Sequence, residues 1–142
     1  MNVWQMSSDQ RLKEWRVFRN EILEIDDDIK VLKLVADWWK LAPISTRAID
    51  VYDDSTWPNP WDLIHKGELD ENAIALGMCY TLQLIDWPCT LQLIQDNEQN
   101  EIKLIILVDD EHVLNYTYNE VIDNTTISHC SIVNQWESSD LI

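Results

Sequence analysis

From Asp70 to Ile85 the chain reads Asp-Glu-Asn-Ala-Ile-Ala-Leu-Gly-Met-Cys-Tyr-Thr-Leu-Gln-Leu-Ile, with no charge after Glu71. A helix apolar on every side cannot lie on a surface, so the rest of the chain must cover this one. Gly77 costs ~1 kcal/mol relative to alanine in mid-helix, which predicts close approach by another backbone. Beyond Trp87-Pro88 the period changes. Thr90–Gln95 alternates as a strand does, Asp96–Asn100 is a polar turn, and Ile102–Val108 is a β-branched run. Asp109-Asp110-Glu111 is a second turn, Val113–Tyr118 a third strand, and Ile127–Val133 a candidate fourth.

Upstream, Ser7 or Ser8 is placed to cap a helix reaching about Ile25, with Leu12, Trp15, Phe18, Ile22 and Ile25 at three- and four-residue steps. Asp26-Asp27-Asp28 then puts negative charge at the positive end of a second helix, about 27–41. That helix carries two apolar strips and stops before Pro43. Residues 43–62 read as an irregular connection closing with Trp57-Pro58-Asn59-Pro60-Trp61, where the tryptophans anchor the loop. Asp62 is placed to cap a short turn through His65 and Lys66. Helices first and an antiparallel meander afterwards make an α+β fold. The expectation is N-terminal helices and a buried central helix packed on an antiparallel sheet of three to four strands. At 142 residues one domain is expected: 1–41 helical, 42–86 connection and central helix, 87–142 sheet and tail.

Charge narrows the function. The formal net charge is −16, from 26 acidic and 10 basic residues. Residues 1–47 are neutral, and beyond them only Lys66 and Lys103 oppose the acids, so the excess lies in residues 48–142. Direct nucleic-acid binding through phosphates is excluded by sign. No apolar run approaches the ~20 residues of a membrane span. The acidic part suits a basic protein partner or a DNA mimic, against the plain alternative of solubility. Cys79, Cys89 and Cys130 show no metal-binding spacing, and the acidic runs Asp53-Asp54, Asp70-Glu71 and Asp109-Asp110-Glu111 lack a cation-loop pattern, so no cofactor or metal is expected. A His129–Cys130 dyad is expected to fail, because neighbours on a strand point to opposite faces.

Residues 57–76 together with Tyr80–Pro88 resemble the core of bacterial transglutaminase-like cysteine peptidases. Those proteins read Trp-Ala-Thr-Pro, then a leucine-rich turn, then Gly-Asp-Cys-Glu-Asp opening a buried helix that exits through Leu-Gly-hydrophobic-Pro. Glu101–Val108 is similar to the family's histidine strand and Val113-Leu114-Asn115-Tyr116 to its last strand, and the resemblance spans about residues 31–123. It implies a cysteine made reactive by a helix N-terminus and a histidine, with a third residue orienting that histidine. On this chain Leu69 stands at the cysteine position, Lys103 at the histidine position and Asn115 at the aspartate position. With two of the three groups missing, no catalytic residue is expected.

The chain's short, acidic, lysine-poor style also resembles small proteins of tailed bacteriophages, which implies a host-cytoplasmic or virion-associated setting. The resulting expectation is a non-enzymatic protein-binding module on an inactivated transglutaminase-like fold, a phage accessory or assembly protein. Its candidate groove residues are Trp57, Trp61, His65, Leu69, Lys103 and Asn115. The alternatives are an acidic DNA mimic that inhibits a host nucleic-acid-binding or defence protein, and a cysteine hydrolase or transglutaminase with relocated residues.

Overall fold

The computed structural model describes residues 2–117 and 120–142. Four helices pack on a five-stranded antiparallel sheet: α1 (Ser8–Ile22), α2 (Asp28–Lys40), α3 (Pro60–Lys66), α4 (Glu71–Leu84), then β1 (Thr90–Asp96), β2 (Glu101–Val108), β3 (His112–Leu114), β4 (Ile122–Asp123) and β5 (Cys130–Glu137). The strand order is β4-β3-β2-β1-β5, with β5 returning to pair beside β1. The α+β expectation holds, with one strand more than expected.

The central helix is covered as its sequence demands: every residue of α4 from Ala73 to Leu82 is buried. α1 and α2 clamp it through tryptophans. The indole N–H groups of Trp15 and Trp39 both donate to the Thr81 hydroxyl, at 3.1 and 2.9 Å, and that hydroxyl donates to the Gly77 carbonyl at 2.8 Å. All the hydrogen-bonding capacity of a buried threonine is therefore used, which removes the cost of burying it. Gly77 is explained here too. A Cβ at that position would sit 2.3 Å from Trp39 Cε3, so the close neighbour is an indole ring and not a second backbone.

Three further expectations are corrected. In α1, Leu12 is 37% exposed while Arg11 is 4% exposed. The Arg11 guanidinium reaches four carbonyls, those of Val3, Trp4, Met6 and Ile64, and so fastens the N-terminal segment to α3. The short turn at 60–66 is capped by Asn59, whose Oδ1 accepts from Asp62 N at 2.8 Å, with Pro60 in the first helical position and Gly67 in the left-handed conformation at the end. The third strand stops at Leu114, because Asn115 turns the chain at φ +69°. The end expected for it, Tyr118, lies outside the described residues.

The last strand also shifts. Ile127 sits in a 3-10 turn and the strand runs from Cys130 to Glu137. Leu91, Leu93, Leu104, Ile106 and Leu114 face the helices. On the outer face a second small core gathers Ile94, Ile105 and Val113 under Ile127. Among the described residues no helix is long and apolar enough to cross a membrane.

Candidate functional site

The start of α4 is where a transglutaminase-like nucleophile would gain its activation, and here it is closed by its own cap. Asp70 Oδ2 accepts from Asn72 N at 3.0 Å and Oδ1 from Ala73 N at 3.2 Å, while Oδ1 also takes Ile49 N at 3.4 Å from the connection. The carboxylate complements the positive end of the helix and leaves little of that field for a ligand. Leu69 points away into the core, 2% exposed, and its backbone pairs with residues 43–45 through Leu69 N to Pro43 O and Ser45 N to Leu69 O.

The side chains that converge on this helix end are Glu71, Asn72, Lys103 and Asn115. Lys103 Nζ lies 3.7 Å from Glu71 and 3.2 Å from Glu101, donates to the Tyr116 carbonyl at 2.6 Å, and sits over the Tyr116 ring. Asn115, 1% exposed, donates from Nδ2 to the carbonyls of Leu104 and Glu71 at 2.9 and 3.3 Å. Asn72 Oδ1 accepts from Leu104 N at 2.9 Å. Lys40, at the end of α2, completes the surroundings: burial lowers its pKa, partly offset by Glu71. Lys103 and Asn115 are thus brought together as the resemblance implies, and their polar atoms join α4 to β2 and to the turn after β3. No thiol or hydroxyl lies among residues 69–73, which lead into and open the helix.

The remaining groove residues lie to one side. Leu69 borders a cleft of about 210 Å³ with Arg47, Ile49, Lys66 and Glu68, which continues past Ile49 and Lys66 into an open cleft of about 570 Å³ with Trp57, Pro58 and His65. Trp57 meets Trp136 of β5 edge-on at 4.8 Å and donates to the Asp50 carbonyl at 2.7 Å. Tyr80 holds the same loop by donating to the Pro58 carbonyl at 2.8 Å, and burial pushes its hydroxyl pKa up to about 12. Trp61, 49% exposed, faces a different cleft with Leu12 and His65. Trp57, His65 and Leu69 therefore share one trough, whereas Lys103, Asn115 and Trp61 do not line it.

A second constellation was missed in the sequence. His129 precedes β5 in a turn, so the alternation of a strand does not separate it from Cys130, and Cys130 Sγ lies 3.6 Å from His129 Nε2. The expectation that the two point apart is corrected on this ground. Asp96, fully buried at the end of β1, is 3.1 Å from the same nitrogen, and Tyr116 donates to its other oxygen. The Tyr116 hydrogen bond first, with the backbone N–H groups of Gln99 and Glu98, holds the Asp96 carboxyl below its ordinary value. As a nucleophilic dyad the arrangement is poor. Both Cys130 and Asp96 meet Nε2, so the imidazole cannot take a thiol proton on one nitrogen while a carboxylate orients the other. Burial, then Asp96 and Glu98, raises the Cys130 thiol. The other two cysteines are in contact in the core, Sγ to Sγ 3.7 Å, where hydrogen bonding to Cys89 and burial push Cys79 well above its usual range.

No protein-family model matches the sequence, and no curated protein is significantly similar to it. Solved structures do share its architecture. Calcium-bound LapG of Legionella pneumophila superposes with a TM-score of 0.73 over 93% of this chain and 77% of that one, at 15% identity. EGTA-treated LapG gives 0.72 over 93% and 75%, at 16% identity. The fold is transglutaminase-like. At this identity the likeness speaks for architecture alone.

Proposed function

We propose that this chain is a non-catalytic protein-binding module, a phage accessory or assembly factor that holds a basic segment of a partner in the trough between Trp57 and Leu69. The observation that carries the reading is the start of α4. Asp70 spends its carboxylate on backbone N–H groups, and Lys103 and Asn115 spend their donors on backbone carbonyls. Groups committed in this way fasten elements together: Lys103 is further held by Glu71 and Glu101, and Asn115 Oδ1, a buried acceptor without a partner, cannot donate to an oxyanion. The trough beside them brings aromatic surface together with the carboxylates of Asp50, Asp62 and Glu68 against the cations Arg47 and Lys66. Aromatic faces and carboxylates suit lysine and arginine side chains.

The experiment is a tryptophan-fluorescence titration with Lys/Arg-rich and Asp/Glu-rich peptides at two ionic strengths. Basic peptides should bind, weaken as salt rises, and lose affinity on Trp57→Ala. Equal response to both peptide sets, or to neither, would overturn the proposal.

A further inference from the structure

We infer that Asp96, His129 and Cys130 form a site for a zinc-class divalent metal ion, with Glu98 closing the coordination. The inference is independent of the trough, since these residues lie where the β1–β2 turn meets the start of β5. One carboxylate oxygen, one imidazole nitrogen and one sulfur fall within 4.8 Å of one another, the only such group among the described residues. Zinc bonds of about 2.0–2.1 Å to N or O and about 2.3 Å to S, at tetrahedral angles, separate N from S by about 3.6 Å and N from O by about 3.4 Å. The observed separations are 3.6 Å for Cys130 Sγ to His129 Nε2 and 3.1 Å for Asp96 Oδ1 to His129 Nε2. Glu98 Oε2 is 3.6 Å from the same nitrogen on a side chain that is 72% exposed and free to swing inward.

The surroundings support the ligands. Tyr116 donates to Asp96 Oδ2, and the N–H groups of Glu98 and Gln99 donate to Oδ1, which fixes the orientation of the carboxylate as outer partners do in zinc proteins. The His129 side chain is 24% exposed, and Cys130 borders an open cleft of about 230 Å³, so an ion has a way in. A thiolate and an imidazole select zinc, cobalt or their neighbours over calcium and magnesium, which require oxygen ligands in larger number. On binding, the Cys130 S–H bond breaks, its proton passes to solvent, and the sulfur lone pair forms the metal bond. The ion would fasten the edge strand β5 to the turn after β1.

The test titrates metal-stripped protein with Co²⁺ and displaces it with Zn²⁺. One equivalent should bind with a thiolate-to-cobalt absorption band. That band should be lost in Cys130→Ser and retained in Cys79→Ser. His129→Gln and Glu98→Gln should each weaken binding at least tenfold, and Tyr116→Phe about tenfold. Zn²⁺ should also raise the thermal midpoint of the parent and not that of His129→Gln. Glu98 is exposed, so its variant folds whatever the fate of the others. Absence of one-to-one binding, a band that survives Cys130→Ser, or displacement of Co²⁺ by Ca²⁺ would overturn the inference.

Discussion

The start of α4 and the junction of β1 with β5 depart from the arrangement of a catalytic triad in opposite ways. At α4 a helix N-terminus, a polar residue on β2 and another just past β3 converge. The side chains there are a leucine buried in the core and a lysine and an asparagine that donate to backbone carbonyls. At the β1–β5 junction a cysteine, a histidine and an aspartate are all present, but they crowd one ring nitrogen. Chemistry needs residue types and directions together. Residue types without the directions of a triad suit a metal ion, which accepts several ligands at one point. Directions without the residue types suit a joint that holds elements together.

If the α4 site is a joint, its substitutions should act on stability regardless of metal or peptide. Asn115→Asp would place a carboxylate against the carbonyls of Leu104 and Glu71. It should cost about 3 kcal/mol at neutral pH in denaturant titrations, because an uncompensated buried charge is left behind. The deficit should shrink on acidification. The new carboxyl has a raised folded pKa, and its protonated form again offers a donor.

At the other region, Asp96→Ala should cost about 2 kcal/mol without metal, since the Tyr116 hydroxyl and two backbone N–H groups lose their acceptor. Asp96 alone carries both roles, and chemical denaturation in chelator checks its structural one.

Tyr80→Phe gives a smaller effect with a distinctive pH profile. Losing the bond to Pro58 should cost about 1 kcal/mol near neutrality. The folded pKa of Tyr80, about 12, lies above the ordinary ~10 of an unfolded tyrosine. The parent therefore loses stability between these values, as the unfolded chain gives up a proton that the folded chain retains. The variant has no such loss, so its deficit should narrow in alkali.

His129→Gln should do least to metal-free stability, within about 0.5 kcal/mol, as for a partly exposed group away from the main core. A large loss in chelator would make the cluster a joint like the first and erase the contrast.

How much of this was legible differs by element, for physical reasons. α4 announced itself because its cover must come from elsewhere, and burial on all sides leaves a strong one-dimensional signal. The Asn59 cap was harder to choose over Asp62, since both residue types cap helices. Pro60, suited to the first helical position, was the signal for Asn59 that the choice of Asp62 passed over. Arg11 concealed its role, because four backbone carbonyls cannot be foreseen from spacing. Lys103 and Asn115 were found through the resemblance, but their commitment to Tyr116, Leu104 and Glu71 depends on strand register. The orientation of His129 and Cys130 was misread through a strand boundary misplaced by three residues: placing Ile127–Val133 in a strand imposed an alternation that begins only at Cys130.

The central proposal is that this chain binds peptides and leaves them intact. Mass spectrometry of a mixed peptide library incubated with the protein at neutral pH tests it most directly. The account predicts recovery of Lys/Arg-rich peptides with unchanged masses. Hydrolysed or cross-linked products that disappear with Cys130→Ser would contradict it.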